Sequence, residues 1–405
     1  MIIKKDKLHE SDFSRVVKMK IGILNTGVRH EIVDFATGET YNSIDMPKLS
    51  KVQQILDLYP YPGDLELDSI DWVTDTALAV ENFYKPDFMF LSYATPYFLA
   101  LFQSEQQLDW DAIKKRLFAQ IERFISETDY TPVILGTGGT QPIEAEVDLT
   151  GLEGVVTCSR MGPVYAGLYN PTQRDLEYLE QLETVQMVLP QERLVHVWSG
   201  GADSKIRIPD YLLVASRGYV FRSLVNTKRV LHRVNARDNI IPIDSPDPVN
   251  SIGDIAGMIK KRLRKERVAL IIAEGIDVED FYFASHQCSN NYSWYTYLPG
   301  EGQYLVTGSG KHLPEHPYPP GYRYYEDNEA GKTYPFSGYY HFLPEAMVGS
   351  PASIRSAAVG TRSIMTHVAS GADLCIECYT RSLQRYGSLA IVDSNAWRPR
   401  RRRRK

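Results

Sequence analysis

The stretch DWDAIKKRLFAQIERFISETDYTPVILGTGGTQP, Asp109 to Pro142, decides the fold class of this chain. Trp110, Ile113, Leu117, Phe118, Ile121, Phe124 and Ile125 recur at the three-and-four spacing that lines one face of a helix, while Lys114, Lys115, Arg116, Glu122 and Arg123 fill the other. Asp109 or Asp111 supplies the cap, because a carboxylate can accept from an otherwise unpaired N–H of the first turn. Pro132 then forbids helix. Val133 to Leu135 is too uniformly apolar to alternate and reads as a strand covered on both faces, and Gly136, Gly138 and Gly139 let the backbone turn sharply where it ends. This is half of a β-α-β unit.

The same plan recurs on either side. Met19 to Leu24 (MKIGIL) reads as a first buried strand ending at Asn25-Thr26-Gly27, and LSKVQQILDL reads as a helix with Leu49, Val52, Ile55 and Leu56 inward. A helical pattern over Trp72 to Phe83 precedes the strand FMFLSYA, and one with Ile255, Met258, Ile259 and Leu263 inward precedes the strand VALIIAEG. The pattern predicts an α/β fold, a mostly parallel doubly wound sheet flanked by helices, with a smaller antiparallel accessory region. In such sheets ligands bind outside the carboxyl ends of the strands, which makes Asn25, Thr26, Thr95, Thr137, Thr140 and Glu274 the candidate site residues. Each also fits an ordinary strand-end residue that satisfies backbone groups.

Between these units the character changes. Glu144 to Leu149 and Gly154 to Cys158 read as short strands, and Pro171 to Leu182 as a helix with Leu176, Leu179 and Leu182 inward. Leu194 to Trp198 and Ile206 to Ser216 read as two further strands. From His286 to Glu345 helical periodicity vanishes, yet the segment holds 11 of the chain's 26 tyrosines, which argues against disorder and for either a lid over a ligand or a cover packed on the sheet. Ser350 to Ala369 reads as a helix, from which Arg355 and Arg362 would neutralise an anion. Leu374 to Tyr379 and Ser388 to Val392 read as a terminal hairpin. The expected organisation is a polar arm (1–18), an α/β core (19–150 and 251–285) interrupted by accessory elements (151–250), a Tyr/Pro/Gly-rich insert (286–349), a helix and hairpin (350–395) and a basic tail (396–405).

Composition narrows the function classes. At 405 residues with 43% apolar content the chain has ample material for a core. No run of eighteen apolar residues occurs and the first residues lack a signal-peptide core, so the expectation is a cytoplasmic protein without a membrane span. Cys158, Cys288, Cys375 and Cys378 are too few for a disulfide framework. The net charge of −5 hides an asymmetry: Arg398, Arg400 to Arg404 and Lys405 carry seven positive charges, so the remainder stands at −12. A nucleic acid would therefore engage only the tail, which composition reads first as a solvated block. A small-molecule ligand is the expected partner, and a homo-oligomer stays open.

Three short motifs stand out. Ser199-Gly200-Gly201-Ala202-Asp203-Ser204 matches the SGGxDS loop of PP-loop ATP pyrophosphatases, with Leu194 to Trp198 as the preceding strand, but KIRIPD then reads as strand where that loop must open a helix. Cys375-x-x-Cys378 with His312 and His316 has zinc-like spacing, yet LCIECYT reads as a strand, and residues three apart on a strand point to opposite faces. Gly136-Thr137-Gly138-Gly139-Thr140 matches the TGGT loop of asparaginases without its position near the amino terminus. No metal ligand set and no cofactor emerge from these motifs.

Four blocks between residues 19 and 150 resemble, in order, the alkaline phosphatase superfamily and particularly its phosphodiesterase and nucleotide pyrophosphatase branch: MKIGILNTG, IDMPKLSKV, KPDFMFLSYATP and the opening stretch itself. The resemblance implies a hydrolase-like protein acting on or binding a phosphorylated or anionic small molecule, with Thr26 near the position of the family's nucleophile. The family's metal ligands are missing. Its Asp-His-Gly reads Thr137-Gly138-Gly139 here, and Thr95-Pro96-Tyr97 stands where an aspartate and a histidine belong. Two-metal phosphoryl chemistry needs a cage of carboxylates and imidazoles, so the resemblance implies a relative with other chemistry or a non-catalytic binding or assembly protein on the same scaffold. An ATP-using PP-loop enzyme is the minor alternative.

Overall fold

Every residue of VALIIA, Val268 to Ala273, is buried, because helices cover both faces of the sheet it belongs to. The computed structural model describes residues 20–34, 39–41, 47–158, 163–198, 205, 208–222, 231–236, 239–292, 302–312, 315, 354–362, 365–379 and 387–393. Eleven strands form the main sheet. They are β1 (Lys20–Asn25), β2 (His30–Asp34), β3 (Thr40–Tyr41), β4 (Phe88–Tyr93), β5 (Thr131–Gly136), β6 (Ile240–Asp244), β7 (Val268–Ala273), β8 (His286–Ser289), β9 (Ser356–Gly360), β10 (Leu374–Tyr379) and β11 (Gly387–Asp393). Their spatial order is β8-β6-β5-β7-β4-β9-β10-β11-β1-β2-β3. The central five, β5 to β10 in that order, are mutually parallel, and β1 runs the same way because β11 is antiparallel to both of its neighbours.

The pleat separates two cores. Met89, Leu91, Ile134, Ala269, Ile271, Val359 and Ile376 face α1 (Pro47–Leu58), α2 (Asp68–Tyr84) and α4 (Trp110–Glu127). Their alternates Phe88, Phe90, Val133, Leu135, Leu270, Ile272 and Ala358 face the helices Ile252–Arg262 and Gly302–Ser309. A period of two on the strands thus meets a period of 3.6 on the helices. The helix expected in the opening stretch forms as α4 with Asp109 as its cap, the carboxylate accepting from the Ala112 N–H at 3.0 Å. Leu49, Val52, Ile55 and Leu56 are all buried on α1. Among the described residues no helix is long and apolar enough to cross a membrane.

The accessory region has its own four-stranded antiparallel sheet, ordered Val185–Pro190, Tyr211–Ala215, Tyr165–Tyr169, Val155–Cys158. Leu194 to Trp198, expected as a strand, is helical over Gln191–Val197. Leu194 and Trp198 stand four apart and are buried together against Ile208, Leu212 and Val214, so packing overrides the β-branched valines between them. The strand the SGGxDS reading needs is therefore a helix, and the loop itself, 199–204, lies outside the described residues, as do the basic tail and His316. Cys375 packs in one core of the main sheet and Cys378 in the other, on opposite faces as the strand period requires.

Two further expectations are overturned. Gly302–Ser309, within the segment read as coil, is a helix whose Gln303, Tyr304, Leu305, Val306 and Thr307 are all buried; a helix covered all round shows no amphipathic stripe. Ser350 to Ala369 is not one helix, because Ser356–Gly360 is the strand β9 between β4 and β10, followed by the short helix Met365–Ser370. Ala357, Ala358 and Val359 read equally well as either, and only the slot in the sheet decides between them. A Cβ on Gly360 would collide with Thr366 Oγ1 and stand 2.9 Å from Ser92 Cβ. Gly360→Ala is expected to lower stability by roughly 1–3 kcal/mol through overpacking, measured by urea denaturation. A helical Gly360 would instead gain about 1 kcal/mol from alanine, so a stabilising result would contradict the strand.

Candidate functional site

Two strand ends are pressed together at the carboxyl edge of the sheet. At the end of β5, Gly136 packs so closely that a Cβ there would lie 2.6 Å from the Ile276 carbonyl. Gly138 adopts φ +87° and donates its N–H to the same carbonyl at 3.0 Å, a conformation that favours glycine. Thr137, buried, accepts the Gly275 N–H on its Oγ1 at 2.9 Å. Gly275, at φ +79°, lets the helix α3 (Thr95–Phe102) settle on it, since a Cβ would meet Tyr97 Cα at 3.2 Å. The glycines of the opening stretch thus hold the β5 turn against the β7 turn.

A cleft of about 360 Å³ opens beside this seam, lined by Ala100, Leu108, Trp110, Gly139, Thr140, Arg233, Gly275, Asp277 and Asp280. Arg233 reaches it from the short ladder that pairs Arg233–Asn235 with Thr140–Pro142. Its Nε donates to Thr140 Oγ1 at 2.9 Å and its Nη2 to the Thr140 carbonyl at 2.8 Å. Asp280 accepts from Trp110 Nε1 at 2.9 Å and from Lys114 Nζ at 2.7 Å, and the Lys114 pKa is raised chiefly by that hydrogen bond. Asp277 Oδ1 accepts the Asp280 N–H at 2.9 Å. Its Oδ2 lies 2.8 Å from where a Cβ on Gly139 would stand.

A buried ionic network begins at Glu274, the residue before Gly275 of the cleft lining. Glu274 follows β7 with no exposure, and its two oxygens take the Arg362 Nε at 2.9 and 2.8 Å while Nη2 makes a further contact. The Arg362 guanidinium carbon lies 4.6 Å from the ring centroids of both Tyr97 and Phe98 on α3, a cation–π arrangement suited to a planar cation. Tyr304 donates its hydroxyl to Glu274 Oε1 and stands 2.6 Å from Ser92 Oγ. Burial, together with the Glu274 carboxylate, pushes the Tyr304 phenol well above its ordinary pKa. It therefore stays a donor to the carboxylate, and the Ser92 hydroxyl donates to it.

The expected residues fall into four groups. Thr140 lines the cleft, whereas Thr137, Glu274 and Arg362 do not; Thr137 is hydrogen-bonded to Gly275 of the lining, and Arg362 to Glu274, the residue before it. Thr95, buried at the start of α3, has an Oγ1 without a hydrogen-bond partner among the described residues. Asn25 and Thr26 lie elsewhere, in the β1–β2 turn, where Thr26 N–H meets the Arg29 carbonyl at 3.2 Å and Asn25 Oδ1 accepts from Gly27 N–H at 2.8 Å; β11, β10 and β9 separate β1 from β4. Arg355 and Arg362 do not share a helix. They flank the two ends of β9, about 20 Å apart at a strand's rise per residue. Arg355 is half-exposed, donates to the Tyr84 carbonyl at 3.1 Å and lies 3.9 Å from Asp87, so the two arginines cannot hold one anion.

Arg233, Asp277, Asp280 and Tyr304 were not singled out from sequence. Asp277 and Asp280 had a signal, since both closely follow the end of VALIIAEG. Arg233 had none, because it enters from the accessory region through a three-residue ladder. Among the described residues no three His, Cys, Asp or Glu side chains gather as a metal would need.

No family model and no curated sequence matches this chain. Over 43% of its length it is similar to phosphonoacetate hydrolase from Sinorhizobium meliloti 1021, in crystal structures with phosphonoformate (12% identity, TM-score 0.32) and with phosphonoacetate (14% identity, TM-score 0.33). The matched part covers 46% of that hydrolase. The likeness is partial and the activity named there belongs to that protein.

Arg362→Met is expected to cost about 3–5 kcal/mol, because it leaves the Glu274 carboxylate buried without its cation. Adding Glu274→Leu should recover most of that loss, since a buried pair replaced by apolar residues of similar size is often neutral. Urea denaturation of the two variants checks this, and a double variant no more stable than the single one would show that the pair does not act as a unit.

Proposed function

We propose that this chain binds an anionic small molecule, a bearer of phosphate or carboxylate, in the cleft at the carboxyl ends of β5 and β7. The observation that carries this reading is Arg233, whose guanidinium is fixed by two hydrogen bonds to Thr140 in the cleft wall. A guanidinium held by rigid strand-end partners recognises an anion with little loss of conformational freedom. The lining supports a ligand rather than a packing defect, because it mixes apolar walls (Ala100, Leu108, Trp110) with a few placed polar groups. Thr137, Glu274 and Arg362 belong to this proposal as buried neighbours of the lining that hold the strand ends in place. Thr26, Asn25, Thr95 and Arg355 stay outside it.

Hydrolase-like turnover of the ligand is the version implied by the alkaline-phosphatase-like blocks of residues 19–150, and binding without turnover is the alternative. The phosphodiesterase branch of that superfamily would require metal ligands, and the described residues supply no such cage. The reading advanced here is binding of the anion at Arg233, a contact that needs no metal ligand.

Two measurements test the proposal. Titration calorimetry with ethyl phosphate is expected to show binding that weakens roughly 10- to 100-fold in Arg233→Ala, the loss of a charge-assisted contact. Protein stripped of metal and re-supplied with zinc, manganese or magnesium is expected to hydrolyse bis(p-nitrophenyl) phosphate no faster than buffer. Metal-dependent turnover would restore the phosphodiesterase reading.

A further inference from the structure

The cleft carries charge of both signs within a few residues of one turn. Arg233 is tied to Thr140, and the Asp277 carboxylate lies against Gly139, the residue before it. The two acidic side chains of the lining are not equivalent. Asp280 is already satisfied by the Lys114 ammonium and the Trp110 indole N–H. Asp277 gives one oxygen to the Asp280 backbone N–H, and no basic side chain among the described residues is paired with it. Trp110 lines the same cleft, with its N–H committed to Asp280, and an indole ring is the aromatic surface an ammonium prefers. A half-buried carboxylate with no basic partner among the described residues, sharing one cleft with an indole and a fixed guanidinium, is a dipolar receptor.

We propose that the ligand of this cleft is zwitterionic: a small molecule whose phosphate or carboxylate meets Arg233 and whose ammonium meets Asp277 and the Trp110 ring. This rests on the anion-binding reading given above. A ligand with only the anion would leave the Asp277 carboxylate half-buried and uncompensated near a second negative charge, which disfavours it. A volume of about 360 Å³ suits a molecule of a few carbons carrying both groups.

The test compares O-phosphoethanolamine with ethyl phosphate, which differ by the ammonium, in titration calorimetry on the full chain. The wild-type protein is expected to bind O-phosphoethanolamine about tenfold tighter or more, the effect of one charge-assisted contact. Asp277→Asn keeps the oxygen that accepts the Asp280 N–H, so its thermal melting should match wild type while the preference between the probes disappears. Arg233→Ala should weaken both probes. Equal affinity of the two probes for wild type, or a preference retained in Asp277→Asn, overturns the zwitterion proposal while leaving the anion site in place if Arg233→Ala still weakens both. Absence of binding by either probe overturns both readings together.

Discussion

The ion pair between Glu274 and Arg362 is the constraint on which this end of the molecule depends. Glu274 comes from the end of β7 and Arg362 from the end of β9, with β4 between them. The pair therefore ties together three parallel strands, and through Tyr97 and Phe98 it fixes α3 above them. Tyr304 brings in the Gly302–Ser309 helix from the opposite face. Two charges withdrawn from water cost several kcal/mol each, and only a forked geometry with further donors offsets that. Here the carboxylate takes both the guanidinium and the phenol, while the guanidinium has aromatic rings against it. The exposed pair of Arg355 with Asp87 has no comparable leverage, because solvent screens it.

Glycine turns translate that rigid network into a cleft. Gly136, Gly138 and Gly275 each occupy a position where a side chain would strike backbone or force an unfavourable φ. Their absence of side chains brings the β5 and β7 turns into contact, and the residues just beyond, Gly139 with Thr140 and Asp277 with Asp280, become the walls. The accessory ladder then adds Arg233. An open α/β sheet offers ligands its carboxyl edge, and among the described residues a cleft opens on that edge beside β5 and β7.

Much of the scaffold was legible because its signals are local. The α4 stripe, the Asp109 cap, the uniformly apolar VILG and VALIIA strands and the opposed cysteines of LCIECY each follow from the period of one element. The errors came where a segment has no period of its own. SAAVG is small and apolar enough for helix or strand, GQYLVTGS is buried on all sides, and LVHVW carries β-branched residues in a helix that Leu194 and Trp198 anchor. In each case the surroundings, not the local preference, fixed the conformation.

The sequence by itself determined that strands would end in glycine and polar residues along one edge, and it offered Asn25, Thr26, Thr95, Thr137, Thr140, Glu274, Arg355 and Arg362 alike as candidates. Backbone periodicity and turn chemistry are properties of neighbouring residues, so they can be read from a line of letters. Which strand ends meet was decided only by the tertiary structure. β9, β10 and β11 insert between β1 and β4 and carry Thr26 away, while Arg233 crosses from the accessory region to join Thr140 and Asp277. Strand order and long-range ladders are set by how two apolar faces are covered at once, a balance over the whole chain that no short stretch encodes.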